Sequence, residues 1–261
     1  KVVSIDKAME KLRDGLTILI PGFVNVGVPE TLIKGIIGKG YSDLSIISNN
    51  TSVRGRGIGL LVHENRIRHI TCSHIGSNTE TVDKVVAGEI DVTFVPQGTL
   101  CERVRAGGAG IGGVLTPTGL GTPIAEGKPV IELDGKKYLL EKALRGDVAL
   151  IHAWKADRMG NLVYRRTARN FNAIFATAAD FVIVDLEGTA TDRIGFAVAR
   201  SDLVLIPLQS SVLDATEAAK SVKLVRQMWR IANREIPYRV FFTRVPPAIR
   251  ERTARDIEKQ F

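Results

Sequence analysis

The sequence predicts an α/β protein built on a largely parallel, open sheet with flanking helices. Three observations carry this prediction. Helix-period and strand-like runs alternate along the whole chain. The strand-like runs, among them TILI (17–20), LSII (44–47) and LVLIPL (203–208), are short, apolar and rich in β-branched residues. The alternation breaks at VIELDGKKYLLE, where Asp134-Gly135 between alternating apolar residues signals a hairpin.

Taken in order, Ile5 to Leu12 reads as a helix and 17–20 as a buried strand. PETLIKGII (29–37) reads as a helix opened by Pro29, whose missing N–H costs nothing at a first turn. Strands follow at 44–47 and in RIRHITC (66–72), then a helix at TETVDKVV (79–86) and the strand DVTFVP (91–96). After the hairpin, ALIHAW (149–154) resumes the strands, Gly160-Asn161 marks a turn, and a helix over 167–179 leads into FVIVD. The last part predicts a helix near 191–200, the strand 203–208, a long helix at 214–234, the strand RVFFTRV and a basic final helix.

Composition narrows the function classes. The chain has 261 residues, 44% hydrophobic and 25% charged, as soluble globular proteins do. Its apolar stretches are broken by Gly, Pro or charge every few residues, so no membrane span is expected. The N-terminal KVVSIDKAMEKLRDG lacks the long apolar centre of a signal peptide. Cys72 and Cys101 form no CxxC or metal-ligand spacing, which implies a reduced, cytoplasmic setting and no metal site. The net charge of +8 favours anionic partners such as phosphates, CoA or nucleic acid, and much of it lies beyond residue 220.

Phosphate-loop chemistry is not encoded. GxxxxGK[ST] is missing; in GIIGKGYS (35–42) Lys39 precedes Gly40, which reads as a helix ending in a glycine turn. GAGIGG (108–113) matches GxGxxG but follows CERVRAG instead of a strand and runs into VLTPTGLGTP instead of a helix. Its glycines serve either close approach to a ligand or partner chain, or a tight irregular turn. Neither GxSxG nor HExxH occurs, and His63 and His69 read as surface or satisfied core residues. Cys101 is either an activated thiol or a small residue at a helix start.

DGLTILIPGFVNVGVPE (14–30) resembles the N-terminal signature of family I CoA-transferase α subunits, a strand and a glycine-rich turn before a helix. Gly22, Phe23, Gly27 and Pro29 match, while Pro21 stands where the first Gly is usual and removes one backbone donor. The resemblance continues through SNN (48–50), GIGLLV (57–62), SHIGSNTET (73–81), VPQGTLCERVRAGGAGIGGVLTPTGLGT (95–122), LDGKKYLLE (133–141) and GNLVYRRTARNFN (160–172). It is similar to acetate, acetoacetate and 3-oxoacid CoA-transferase α subunits over residues 1–180. The family moves CoA between a short-chain or 3-oxoacyl thioester and a free carboxylate, through a glutamate of the β subunit. The resemblance therefore implies a β-subunit partner in an α2β2 assembly, CoA as cosubstrate with no tightly bound cofactor, and no nucleophile in this chain. It implies a CoA-binding turn at Gly22, Phe23, Val24, Asn25, Val26 and Gly27, with Gly107, Gly108 and Gly110 near the CoA and the subunit interface. Strand, turn and helix N-terminus together would form an anion-binding corner. Asn49, Asn50 and Gln97 would orient a carboxylate or the partner's glutamate; strand-end capping and a loop hydrogen bond are the alternatives for them.

DFVIVDLEGTATDRIGFAVARSDLVLIPLQSSVLDATEAAKSVKLVRQ and FFTRVPPAIRERTARDIEKQ instead resemble the C-terminal part of ParA-like partitioning ATPases. There Asp185 would sit beside a nucleotide's magnesium, and the basic tail would contact DNA phosphates. The resemblance divides the chain into 1–180, like a CoA-transferase α subunit, and 181–261, a ParA-like βαβα fragment without its phosphate loop, joined somewhere in 176–190. The leading expectation is a CoA-transferase α subunit; a ParA-like DNA-binding module and an inactive fusion of the two are the alternatives.

Overall fold

Strands buried on both faces need crossover helices to cover them, and the apolar runs of this chain obtain that cover in turn. The computed structural model describes residues 3–157, 159–186, 203–208, 218–219, 221–223, 225–229 and 234–242. Along them run α1 (Ile5–Met9), β1 (Thr17–Leu19), α2 (Glu30–Lys39), β2 (Leu44–Ile47), α3 (Ile58–His63), β3 (Ile67–Cys72), α4 (Thr79–Val86), β4 (Asp91–Phe94) and α5 (Gln97–Gly108). There follow β5 (Gly113–Thr116), β6 (Val130–Leu133), β7 (Lys136–Lys142), β8 (Gly146–Ala153), β9 (Lys155–Ala156), β10 (Leu162–Val163), α6 (Asn172–Phe175), β11 (Ala179–Leu186), β12 (Val204–Leu208) and β13 (Tyr238–Phe242). The chain divides into two units, Lys1–Glu187 and Gly188–Phe261.

The first unit holds a six-stranded sheet in the order β11-β8-β1-β2-β3-β4, with every pair parallel. Alternation along each strand divides the core in two. Ile18, Ile46, Val148 and Leu150 face one layer with Leu32, Ile33 and Ile36 of α2 and Leu61 and Val62 of α3. Leu19, Ile47, Ala149 and Ile151 face the other with Leu100 and Val104 of α5 and Phe171 and Phe175 around α6. Both layers are fully desolvated at their centre, so truncating Ile46 to Ala costs about 2–5 kcal/mol.

The expected hairpin forms: Leu133 pairs with Lys136, and both turn residues, Asp134 (φ 52°) and Gly135 (φ 72°), are left-handed, as a type I′ turn requires. It belongs to a separate antiparallel sheet, β5-β7-β6. α2 ends where GIIGKG predicts, on Gly40 at φ 79°.

Two helices exceed the expectation. α3 arises from GIGLLV, and α5 spans 12 residues despite three glycines, well beyond a helix start at Cys101. Their propensity is low, and packing decides: Leu100, Val104, Ala106 and Gly107 of α5 are buried. One helix is corrected. Residues 167–179 form a 3₁₀ turn (Arg166–Arg169) and the one-turn α6, because Asn170 leaves helical space at φ 12°, ψ −115°. Its side chain is drawn away to the Val26 carbonyl.

β11 carries FVIVD, assigned by resemblance to the segment beginning at 181. It pairs with β8 over seven residues, from Ala179–Gly146 to Leu186–Ala153, within the first unit's sheet. In the second unit β12 and β13 pair in parallel over five residues, with helical residues 218–219, 221–223 and 225–229 between them. Ile206, Ala218, Val222, Val225 and Ile236 form its core, and Trp229 Nε1 donates to the Ile236 carbonyl at 3.0 Å. The helices expected at 191–200 and at the basic C-terminus lie outside the described residues, as does the possible junction segment beyond 186.

Candidate functional site

Strand order reverses between β1 and β8: the chain proceeds from β1 outward to β4, then returns to place β8 and β11 on β1's other side. The crevice beyond the carboxyl ends of the strands at such a switch point is where open α/β sheets bind ligands. Here that edge carries the turn after β1 (20–28), the polar segment after β2 (48–52), Ser73 after β3 and Gln97 after β4.

The turn after β1 is rigidly built. Phe23 and Val26 exchange two backbone hydrogen bonds, each 3.0 Å, around Val24 and Asn25. Val24 sits at φ 54°, strain of about 1–3 kcal/mol for a β-branched residue. Gly22 (φ 143°) and Gly27 (φ 70°) admit no side chain: a Cβ would meet Val28 Cγ2 at 2.5 Å or the Ala168 carbonyl oxygen at 2.6 Å. Asn170 and Asn172 hold the turn from below, donating to the Val26 and Gly27 carbonyls at 2.9 Å each. Asn172, fully buried, also donates to the Ala168 carbonyl at 2.9 Å and accepts from His152 N at 2.8 Å. Phe23 (51% exposed) and Val26 (45%) project from the turn, while the Asn25 Oδ1 is buried without a partner.

The expected anion-binding corner is corrected. The α2 N-terminus follows Pro29, which has no side chain to cap it, and Asp185 from the end of β11 takes that place, accepting from Thr31 N at 3.1 Å. Glu30 lies in the same first turn and accepts from Gly57 N at 3.1 Å. Two carboxylates thus face the helix dipole and leave no free positive end for a phosphate. Asp185 is a helix cap here, not part of a metal cluster; no group of three or more metal-binding side chains occurs among the described residues.

Asn49 and Gln97 are brought together across β3: Gln97 Nε2 donates to Asn49 Oδ1 at 3.0 Å. Ser73 Oγ also reaches Asn49 Oδ1 at 3.0 Å. Asn50 takes the alternative role: its Oδ1 accepts from Ser52 N at 2.8 Å, a local turn that closes the strand end. The run Ser48–Ser52 is buried throughout, an unusual place for five polar residues, with the Thr51 hydroxyl and the nearby Asn78 Oδ1 unpaired. Amides and hydroxyls at this edge can hold a carboxylate or a polarised carbonyl by hydrogen bonds.

The glycine loop divides. Gly107 and Gly108 lie inside α5, where a Cβ would stand 2.1 Å from the Leu144 carbonyl oxygen or from Thr177 Oγ1. Their smallness is explained by packing within the chain, against the connections that lead into β8 and β11. Gly110 (φ 72°) has open space around it. Burial raises the Cys101 thiol, with the Glu102 charge adding to it, and burial lifts Cys72 to about 11, which leaves neither an activated thiol. His63 pairs with Glu80 and His69 lies between Thr71 and Thr93, satisfied as expected. Sequence reasoning missed Ser73, Asn170 and Asn172; Asn170 and Asn172 stand in the quoted RRTARNFN, but a side chain's reach across 144 residues has no local signature.

Residues 2–193 match the Coenzyme A transferase family. The chain is 48% identical over 185 residues to the α chain of the acetate CoA-transferase of Escherichia coli K12, covering 71% of this chain and 84% of that protein. It is 46% identical over 187 residues to the α chain of the acetoacetyl-CoA:acetate/butyrate CoA transferase of Clostridium acetobutylicum, covering 72% and 86%. The crystal structure of glutaconate coenzyme A-transferase from Acidaminococcus fermentans has the same fold, with a TM-score of 0.62 at 17% identity over 74% of this chain and 69% of that one. Sequence match and sheet topology agree: this chain belongs to the coenzyme A transferase family.

Proposed function

We propose that the chain is the α subunit of a CoA-transferase that moves CoA between a short-chain or 3-oxoacyl thioester and a free carboxylate. The observation that carries this reading is the 48% identity to the α chain of an acetate CoA-transferase over 84% of its length. A β subunit supplies the glutamate, in an α2β2 complex. Its carboxylate attacks the thioester carbonyl and expels CoA thiolate, leaving an acyl-glutamyl anhydride. The thiolate attacks the glutamyl carbonyl, releasing the first acid and forming a glutamyl thioester. The second acid then reverses the sequence and leaves with CoA.

In this scheme Asn49 and Gln97 present amide donors to the reacting carboxyl groups. The turn Gly22–Gly27 contacts CoA through Phe23, Val26 and the free backbone near Val24 and Asn25, and Gly110 lies at the subunit boundary. Contact is apolar more than ionic, because carboxylates already occupy the α2 terminus. CoA is a cosubstrate, and nothing is held tightly between turnovers. The cytoplasm is the proposed setting, supported by two free cysteines; no helix among the described residues is long and apolar enough to cross a membrane. For residues 181–261 a ParA-like origin rests on sequence resemblance; the parallel β12–β13 pair with helical residues between them is an arrangement common to many α/β folds.

Co-expression with a cognate β subunit tests the assignment. Label exchange between acetate and acetoacetyl-CoA is expected only when both chains are present. A stable complex without exchange overturns the reading.

A further inference from the structure

We propose that the β9–β10 hairpin and the segment onward to Arg169 form the docking surface for the β subunit, fitted to an acidic patch beside that subunit's catalytic glutamate. The inference rests on the CoA-transferase reading and deepens it.

Position comes first. The β subunit's glutamate must reach the edge that holds Asn49 and Gln97, and its side chain is short, so the two subunits meet around that edge. β8 runs parallel to β1, so its carboxyl end opens on the same edge as the turn after β1. β9 begins one residue beyond the end of β8. After the hairpin the chain returns beneath the turn, where Asn170 donates to the Val26 carbonyl and the Ala168 carbonyl lies against Gly27. Hairpin and turn therefore stand side by side at the edge the β subunit has to cover.

The surface has the chemistry of a protein contact. One face of the hairpin is spent on the core, where Leu162 and Tyr164 pack against the second layer. Met159 is 88% exposed near the tip, and Val163 and Trp154 are exposed too. From Trp154 to Arg169 the sequence carries Lys155, Arg158, Arg165, Arg166 and Arg169 against one acid, Asp157. Asp157 is committed to the turn itself, accepting from Met159 N at 2.8 Å, Asn161 N at 2.9 Å and Asn161 Nδ2 at 2.6 Å. Lys155, Arg166 and Arg169 form no ion pair among the described residues. Lys155 Nζ and the Arg165 guanidinium lie over the Trp154 ring, 4.3 and 5.7 Å from its centre. Aromatic residues, Met and Arg are the types enriched where proteins meet. The Asp157 turn holds this surface in shape before binding, so little order is lost on association. Uncompensated positive charge selects an acidic partner and opposes a second copy of this chain, which would bring like charges together.

The test uses the co-expressed two-subunit complex, diluted and followed by sedimentation. The charge-reversed pair Lys155→Glu/Arg169→Glu is expected to raise the subunit dissociation constant about tenfold at about 0.15 M salt, and the gap closes at about 1 M as screening removes the attraction. Met159→Asp weakens the complex about tenfold at both salt concentrations. Lys136→Glu/Lys137→Glu, the same charge change on the other hairpin, changes the constant less than twofold. A second readout needs no weakened variant: the photocrosslinker p-benzoylphenylalanine at position 159 joins this chain to the β subunit. An unchanged constant in Lys155→Glu/Arg169→Glu, an equal loss in Lys136→Glu/Lys137→Glu, or a crosslink between two copies of this chain overturns the proposal. So does a raised KM for acyl-CoA with subunit affinity unchanged, which would give these cations to the phosphates of CoA. These results leave the wild-type activity standing, whereas a stable wild-type complex without label exchange overturns the activity reading alone.

Discussion

Replacing Asn172 by Ala removes one side chain and strands three backbone groups. His152 N–H loses its acceptor, and the Gly27 and Ala168 carbonyls lose their donor. Asn172 is fully buried, so water does not easily replace it. A stranded buried group costs about 1–3 kcal/mol, with carbonyls toward the lower end because they tolerate under-satisfaction better than N–H groups. The expected destabilisation is about 4 kcal/mol. With a urea m-value of about 2 kcal/mol/M, the unfolding midpoint falls by about 2 M. Asn170→Ala loses fewer shielded contacts and is expected to cost about 1 kcal/mol. Equilibrium urea unfolding of the full chain, followed by far-UV circular dichroism, measures both. A midpoint shift under about 0.5 M for Asn172→Ala refutes the claim that this amide is the fastener of the turn.

The other predictions concern packing, capping and ionisation. Gly107→Ala sets a Cβ against the Leu144 carbonyl at 2.1 Å and should lower the melting temperature by about 6–12 °C in calorimetry. Gly98→Ala, in the same helix with nothing within 4 Å, should leave it unchanged or slightly raised. Asp185→Ala should cost about 1 kcal/mol as a lost helix cap, and millimolar magnesium should not change the melting temperature of the parent; a magnesium-dependent rise abolished by the substitution would restore the metal-site reading. The Cys72 thiol, lifted by burial from 9.0 to about 11, is a raised acid, so its contribution to stability is complete below pH 9 and is lost as pH rises toward 11. Cys72→Ala should flatten that part of the stability-versus-pH curve, and iodoacetamide peptide mapping at pH 8 should label Cys101 well before Cys72.

Much of the sheet was readable because its signals are local. TILI, LSII and TETVDKVV each announce one element, and Asp134-Gly135 specifies its own turn. What failed was set by distant neighbours. α5 persists through Gly107 and Gly108 because Leu144 and Thr177 press against it, and the helix at 167–179 fails because Asn170 is drawn to Val26. The site was half legible in the same way. Gly22, Gly27, Asn49 and Gln97 stand out as residue types, yet only the fold reveals that Asn50 closes a turn. Likewise Asp185 looked like a magnesium acid from its strand, while its actual partner, Thr31, lies 154 residues earlier.

The tether between the first turn and Asn172 also sets an order of events in time. Gly27 and the amide that grips it are separated by 145 residues. At about 5–20 residues per second of synthesis, the turn leaves the ribosome some ~7–30 s before its anchor exists. Until β8 (Gly146–Ala153) is made, late in that interval, β1 has only β2 beside it, so its other edge is open to pairing with a neighbouring chain. The turn after β1 is thus held only late in synthesis, and a chain truncated before β8 would carry an open β1 edge beneath an untethered turn.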